Sequence, residues 1–254
     1  MIRWINTPLL FVKKKYLIIN EDVGKTMQNI IRILMYFFTL KIKQLVLIFV
    51  LLHVFSPLYL FAQPTSNMVL VPSGKLLVVS GGESKQVVID KFFIDRFEVT
   101  QKLYESIIGV NVSFFIGKQR PVEKLNWFEA MEYCRRIKKR LPTEWEWEWA
   151  ARAGSVSKFY WGEEDPELYG WFKKNSEKKT HSVGLKLPNS LGIYDMGGNV
   201  WEWTDSYRET TGGKVLRGGS WRNSINAMAS SKWITSLPIH RFHYVGFRCA
   251  RSIP

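Results

Sequence analysis

The sequence is poor in cysteine and histidine. Its 254 residues include two cysteines, Cys134 and Cys249, and four histidines, His53, His181, His240 and His243. Two cysteines allow at most one disulfide. None precedes Cys134, so lipid attachment at an N-terminal cysteine is not expected. There is no internal repeat. The Lys and Arg residues are scattered among acids, with no basic helix and no nucleic-acid motif, so the net charge of +14 is read as a solvated surface and DNA or RNA is not expected as a partner. What is abundant is apolar and aromatic: 46% of residues are hydrophobic, 15% aromatic, and eleven are Trp. That composition excludes a largely disordered chain. It points to an aromatic-rich core or a recognition surface.

The apolar runs are concentrated in residues 1–62, which also carry eight Lys/Arg against Glu21 and Asp22. Lys41 and Lys43 precede an apolar run from Leu45 to Phe55, Pro57 breaks it, and Ala62 offers a small residue before Gln63. A basic start, a short apolar run and a small-residue end describe an export signal. The run is short for a bilayer span, which needs ~20 residues, so a membrane contact is expected only if the segment stays uncleaved. Met27 or Met35 is an alternative start. The expected organisation is a targeting segment over 1–62, a polar linker over 63–67 and one domain over 68–254, exported to the periplasm, the cell surface or the medium. In an oxidising compartment the two cysteines most simply pair. A copper or redox pair is the functional alternative.

Residues 68–95 alternate apolar and turn-forming segments and predict short antiparallel strands around Met68–Val71, Leu76–Val79, Val87–Ile89 and Phe92–Ile94. Thr100 is placed to cap a helix ending near Gly109. Asn126 and Glu129 form a capping box for a helix expected to run to Arg140, with Trp127, Ala130, Met131, Cys134 and Ile137 on its apolar stripe. Thr143 and Glu146 form a second box, and Gly154 ends that helix. From Gly154 to Pro254 the sequence predicts mostly loops and short strands, which need pinning.

Several segments then line up with one family. They are Arg140-Leu-Pro-Thr-Glu-Trp-Glu-Trp-Glu148, Pro188-Asn-Ser-Leu-Gly-Ile-Tyr-Asp-Met196, Gly198-Asn-Val-Trp-Glu-Trp203, Arg217-Gly-Gly-Ser-Trp221 and Gly246-Phe-Arg248, with Val99-Thr100 and Pro121-Val122 upstream. In this order, across residues 68–251, the chain resembles the formylglycine-generating enzyme (sulfatase-modifying factor) family. The resemblance implies an α+β, C-type-lectin-like single domain, loop-rich and low in regular secondary structure. It implies calcium held by the side chains of Asp195 and Glu202 and the carbonyls of Gly198 and Val200, a donor set of the hard oxygens that calcium takes. The Asn of the family's other calcium site is missing near Tyr169-Gly170-Trp171. Cys134 and Cys249 match the family's structural disulfide.

The resemblance does not carry the family's oxidase chemistry across. The two copper-binding cysteines fall on Asn223 and Met228, and neither supplies the thiolate that copper(I) needs. Ser220 and Trp201 match other active-site residues and are read as scaffold. A neighbouring branch contains iron enzymes with ligands from a separate helical domain. His240 and His243 could serve a metal, but no such domain precedes residue 68. The leading expectation is a non-catalytic binder, with a protein or other surface ligand as partner. The alternative is an oxidoreductase of this family using a different metal site.

Recognition is expected over residues 222–244, at Arg222, Asn223, Trp233, Ile239, His240, Phe242, His243 and Tyr244. Aromatic and Arg side chains of this kind dominate binding hot spots. The segment also resembles the ends of retroelement-diversified variable receptors of this fold: Pro238, two residues, Arg241, three residues, Val245, then Gly246-Phe247-Arg248. Ile, His, Phe and Tyr are all reachable from an Asn codon by changing only adenines. A rigid scaffold would tolerate such changes on one loop-built face.

Overall fold

The computed structural model describes residues 67–80 and 83–253, together with Met27, Arg32, residues 34–39 and Lys41. The chain divides into two compact units, Met1–Thr65 and Ser66–Pro254. The described residues of the first unit are helical. The apolar run over 45–55, the expected cleavage point at Ala62 and linker residues 63–66 lie outside the described residues. Among the described residues, no helix is long and apolar enough to cross a membrane.

The second unit is α+β and loop-rich. Strands β1 (Met68–Val71), β2 (Gly74–Ser80), β3 (Glu83–Ile89) and β4 (Phe92–Asp95) are followed by helices α1 (Gln101–Ile108), α2 (Trp127–Arg136) and α3 (Glu144–Arg152). After a long irregular stretch come β5 (Trp201–Arg208), β6 (Gly213–Arg217), β7 (Trp233–Ser236), β8 (Val245–Gly246) and β9 (Ala250–Ser252). They form three sheets, ordered β1-β4-β9, β2-β3 and β7-β6-β5-β8. The first sheet joins the start of the domain to its end, because β4 pairs with both β1 and β9. In the third, β5 is antiparallel to β6 and parallel to β8.

Local chemistry sets the helix starts. Thr100 accepts from the Leu103 N–H. Asn126 and Glu129, and Thr143 and Glu146, close complete capping boxes. Helix α2 ends at Arg136, four residues before the expected Arg140. Lys138 takes φ of +56°, and the N–H groups of Lys138 and Lys139 bond back to the carbonyls of Arg135 and Cys134. This is a Schellman stop with Lys in the position usually given to Gly. It delivers Lys139 to the buried Asp95 carboxylate at 2.5 Å, and that long-range ion pair accounts for a turn the local sequence did not announce. The apolar stripe also differs from expectation: Trp127, Ala130, Tyr133 and Cys134 are buried, while Met131 is 38% exposed. Tyr133 takes the inward place because it stacks on Tyr104 of α1 at 5.5 Å. Helix α3 is capped one residue earlier than expected, by Ala153 at φ +48°.

Two apolar clusters fill the domain. One joins β1, β2 and β4 to α3 and to loop residues such as Trp161, Phe172, Met196 and Met228. The other joins α1 and α2 to Trp201, Trp203, Val245 and Phe247. Cys134 and Cys249 are bonded, with Cα atoms 5.7 Å apart and a sequence separation of 115. In the chain-entropy model a loop of that length contributes ~4–5 kcal/mol.

A fully buried ion pair also holds the domain together. Arg248 meets Glu202 through two hydrogen bonds of 2.7 Å, from Nε to Oε2 and from Nη2 to Oε1. Its remaining donors reach the carbonyls of Asp95, Arg96, Tyr194 and Asp195. Trp147 of α3 donates to Glu202 Oε2 at 2.8 Å. Removing one partner leaves the other charge buried and unpaired, which costs about 3–5 kcal/mol. Arg248→Met should therefore lower the unfolding free energy by that amount in a denaturant titration of the oxidised protein. A loss below ~1 kcal/mol would show that the pair is no more than an exposed ion pair in effect.

Candidate recognition face

The segment from Leu237 to Val245 has little regular structure, yet its backbone is fastened at both ends. The Pro238 carbonyl accepts from Trp127 N–H, the Phe242 carbonyl from Lys124 N–H, and the Tyr244 carbonyl from Trp201 N–H. The His243 carbonyl accepts from the Trp221 indole at 3.3 Å. Arg241 is ion-paired with Glu129 of the α2 capping box. The main chain is thus tied at alternate points, with the side chains projecting from it.

Those side chains make one run of rings. Phe242 and Tyr244 stack at 5.0 Å, and Arg222 lies over the Tyr244 ring at 4.6 Å. His240 sits 5.7 Å from Phe242, with its Nδ1 at 3.1 Å from the Ser236 hydroxyl. His243 packs within 5.6 Å of Phe114, Trp221 and Tyr244. Arg222, Ile239 and His240 are exposed, while Phe242, His243 and Tyr244 are half-buried. Burial, with Arg222 and Lys124 nearby, holds the His243 imidazole below its usual range and keeps a neutral ring in the cluster.

Phe114 and Phe115 extend this face, and the sequence reading missed them. Phe114 is 61% exposed and Ile116 73%. Their loop is held from behind by Gln101, which bonds Asn111, Phe115 and Gly117, and by Glu123. One Glu123 oxygen accepts the N–H groups of Phe114 and Phe115 at 2.7 and 2.8 Å, and the other is buried with no partner. Burial pushes the Glu123 carboxyl up from 4.5 to about 7. The folded state thus prefers the protonated acid. This contribution to stability is complete below the ordinary carboxylate range and is lost as pH rises through about 7. The available signal was the apolar run Phe114-Phe115-Ile116, too short to show helical or strand periodicity.

Two expected contact residues are placed elsewhere. Asn223 is half-buried and its Oδ1 accepts from the Trp201 indole at 2.9 Å and the Ser220 hydroxyl at 2.6 Å; its side chain braces the scaffold. Trp233 lies on β7, where the Arg208 guanidinium covers its ring at 4.8 Å. It makes none of the ring contacts of the 240–244 cluster. Met228 is fully buried as core packing. Asn223 and Met228 thus offer no soft ligand pair, and among the described residues no group of three or more His, Cys, Asp or Glu is arranged to hold a metal.

Asp195, Gly198 and Val200 lie in a buried loop where Asp195, Gly198 and Asn199 all take positive φ, and Glu202 follows at the start of β5. Asp195 Oδ2 accepts from the Gly184 N–H at 2.7 Å, and Oδ1 is buried without a partner. Burial raises the Asp195 carboxyl to about 6. Glu98, also buried, spends its two oxygens on Asn199 and the Val200 N–H. Glu202 has both oxygens committed to Arg248 and Trp147. An ion held through both Asp195 and Glu202 does not fit this arrangement, because a guanidinium already fills the cationic place at Glu202.

Residues 59–253 match the family model described as the sulfatase-modifying factor enzyme 1-like domain. The chaperone protein LppX of Paenibacillus barcinonensis is 32% identical over 227 residues, covering 64% of this chain and 81% of that protein. Inactive C-alpha-formylglycine-generating enzyme 2 of Mus musculus is 36% identical over 151 residues, covering 52% of this chain and 49% of that protein, so the chain spans about half the length of that relative. Among solved structures, Treponema denticola variable protein 1 superposes with a TM-score of 0.69 at 28% identity, covering 72% of this chain and 94% of that one. With the motif order, the loop-rich α+β fold and a family match over most of its length, the chain belongs to the sulfatase-modifying factor enzyme 1-like family.

Proposed function

We propose that this protein is an exported, non-catalytic binding protein that uses the family scaffold to present a recognition face. The carrying observation is the run of rings from Phe114 through His243, Tyr244 and Phe242 to His240, displayed on a backbone fixed by the 122–127 segment and β5. Relatives named as a chaperone, as an inactive enzyme and as a variable protein support a use of this scaffold without catalysis. Asn223 and Met228 at the positions of the copper thiolates support the same reading. Export is supported by the basic, apolar and small-residue order of residues 41–62 and by a disulfide that suits an oxidising compartment.

The face is tested by panning a random-peptide phage library against the protein, since such libraries settle on hot-spot surfaces. Selected peptides should lose affinity by ~1–2 kcal/mol in each of Arg222→Ala, Ile239→Ala and His240→Ala. Melting should be unchanged, because these side chains are exposed. Peptides that bind all three variants as tightly as the parent would place recognition elsewhere. Phe242 and Tyr244 are poorer probes, since both also pack against the core.

The finer reading is that this face is diversified by adenine-directed mutation. Deep sequencing of the region encoding residues 221–245 across a population should show substitutions confined to adenine-derived positions at Ile239, His240, Phe242, His243 and Tyr244. An invariant stretch would leave a fixed ligand.

Calcium enters this proposal only through Asp195 Oδ1 and neighbouring carbonyls, a weaker donor set than two carboxylates. Chelation should therefore lower Tm by less than about 4 °C, equivalent to ~1 kcal/mol in a domain of this size. A larger drop would show that a cation replaces Arg248 at Glu202.

A further inference from the structure

Trp233 belongs to a second surface feature. Leu77 and Val79 of β2, Trp145 and Arg152 of α3, Arg208 of β5 and Trp233 of β7 line a cleft of about 200 Å³. Its lining mixes these apolar and aromatic groups with polar ones, Glu148 and Ser231 included, and its charge is unbalanced. The Arg208 guanidinium lies between two indoles, 5.3 Å from the Trp145 ring centre and 4.8 Å from that of Trp233. Its Nη2 donates to Glu144 Oε2 at 2.7 Å, while its Nε is buried with no partner. Arg217, fully buried, shares the same Glu144 oxygen at 3.2 Å and meets Glu148 at 3.1 Å, and its Nε is also unpartnered. Arg152 pairs with the other Glu148 oxygen at 2.8 Å.

Three guanidiniums therefore share two carboxylates. One positive charge is left over, and two buried N–H groups go without acceptors. Arg217, the fully buried member, meets both carboxylates, so the excess charge falls on the part-exposed Arg208 and Arg152. An anion at the part-exposed Arg208 side chain would supply the missing charge. A bare inorganic ion would leave the Leu77, Val79 and Trp233 walls without a partner, whereas an apolar tail would cover them.

We propose that this cleft binds a small organic acid, with its carboxylate on Arg208 and its apolar tail between the two indoles and the β2 side chains. The site is independent of the 222–244 face, so failure of either reading leaves the other intact. Hexanoate is the probe, read by tryptophan fluorescence and by Tm. Hexanoate should give a saturable fluorescence change and raise Tm. Hexanamide, which lacks the charge, and acetate, which lacks the tail, should each bind at least tenfold more weakly. Arg208→Gln should weaken hexanoate at least tenfold. If that variant does not fold, Trp233→Ala, at the exposed first position of β7, should produce a comparable loss while retaining a cooperative melt. Equal affinity for hexanamide, equal affinity for phosphate, or no saturable response to hexanoate would each overturn the proposal.

Discussion

The rest of the domain depends on the ion pair between Arg248 and Glu202. Arg248 lies just before the last strand and Glu202 lies in β5, 46 residues away. Around them converge the carbonyls of Asp95 and Arg96 at the end of β4, the Tyr194 and Asp195 loop, and the Trp147 indole of α3. One guanidinium thus ties the first sheet, the third sheet, α3 and the irregular middle of the chain to a single point. The neighbouring residue, Cys249, carries the disulfide to α2, and its N–H bonds Asp95. A hundred residues with little regular structure need such a point, because long loops cannot order themselves by local hydrogen bonds. In this low-dielectric setting the guanidinium supplies charge and several directed donors from one place.

The aromatic face follows from that rigidity. Because β5, β8 and the 122–127 segment are fixed, the carbonyls of Pro238, Phe242 and Tyr244 have stationary donors. The Phe114 loop is fixed in the same way, by Gln101 and Glu123 behind it. Both halves of the face have rigid backs and aromatic fronts, so little ordering cost falls on the protein when a ligand binds.

The two surfaces differ in chemistry. The 222–244 face is open, aromatic and rimmed by cations, which suits a macromolecular partner. The cleft at Trp145 and Trp233 is small, and around it three guanidiniums share two carboxylates beside indole and aliphatic side chains. Trp233 shows why chain proximity alone misassigns a residue. It is seven residues from His240 in sequence, but β7 pairing with β6 turns it toward Arg208.

What the sequence determined by itself was set by rules that act over three or four residues. The capping boxes at Asn126 and Thr143 fixed two helix starts, because their donors and acceptors are neighbours in the chain. The ordered motifs from Arg140 to Arg248 fixed the family, and the alternation over residues 68–95 placed the first four strands. The early stop of α2, the exposure of Met131, the bracing role of Asn223 and the union of Phe114 with His243 were decided only by tertiary structure. Each depends on a partner far along the chain: Asp95 for Lys139, Tyr104 for Tyr133, Trp201 for Asn223. Whether a side chain faces water, a buried charge or another ring is settled by packing, and packing brings together residues that no short-range pattern connects.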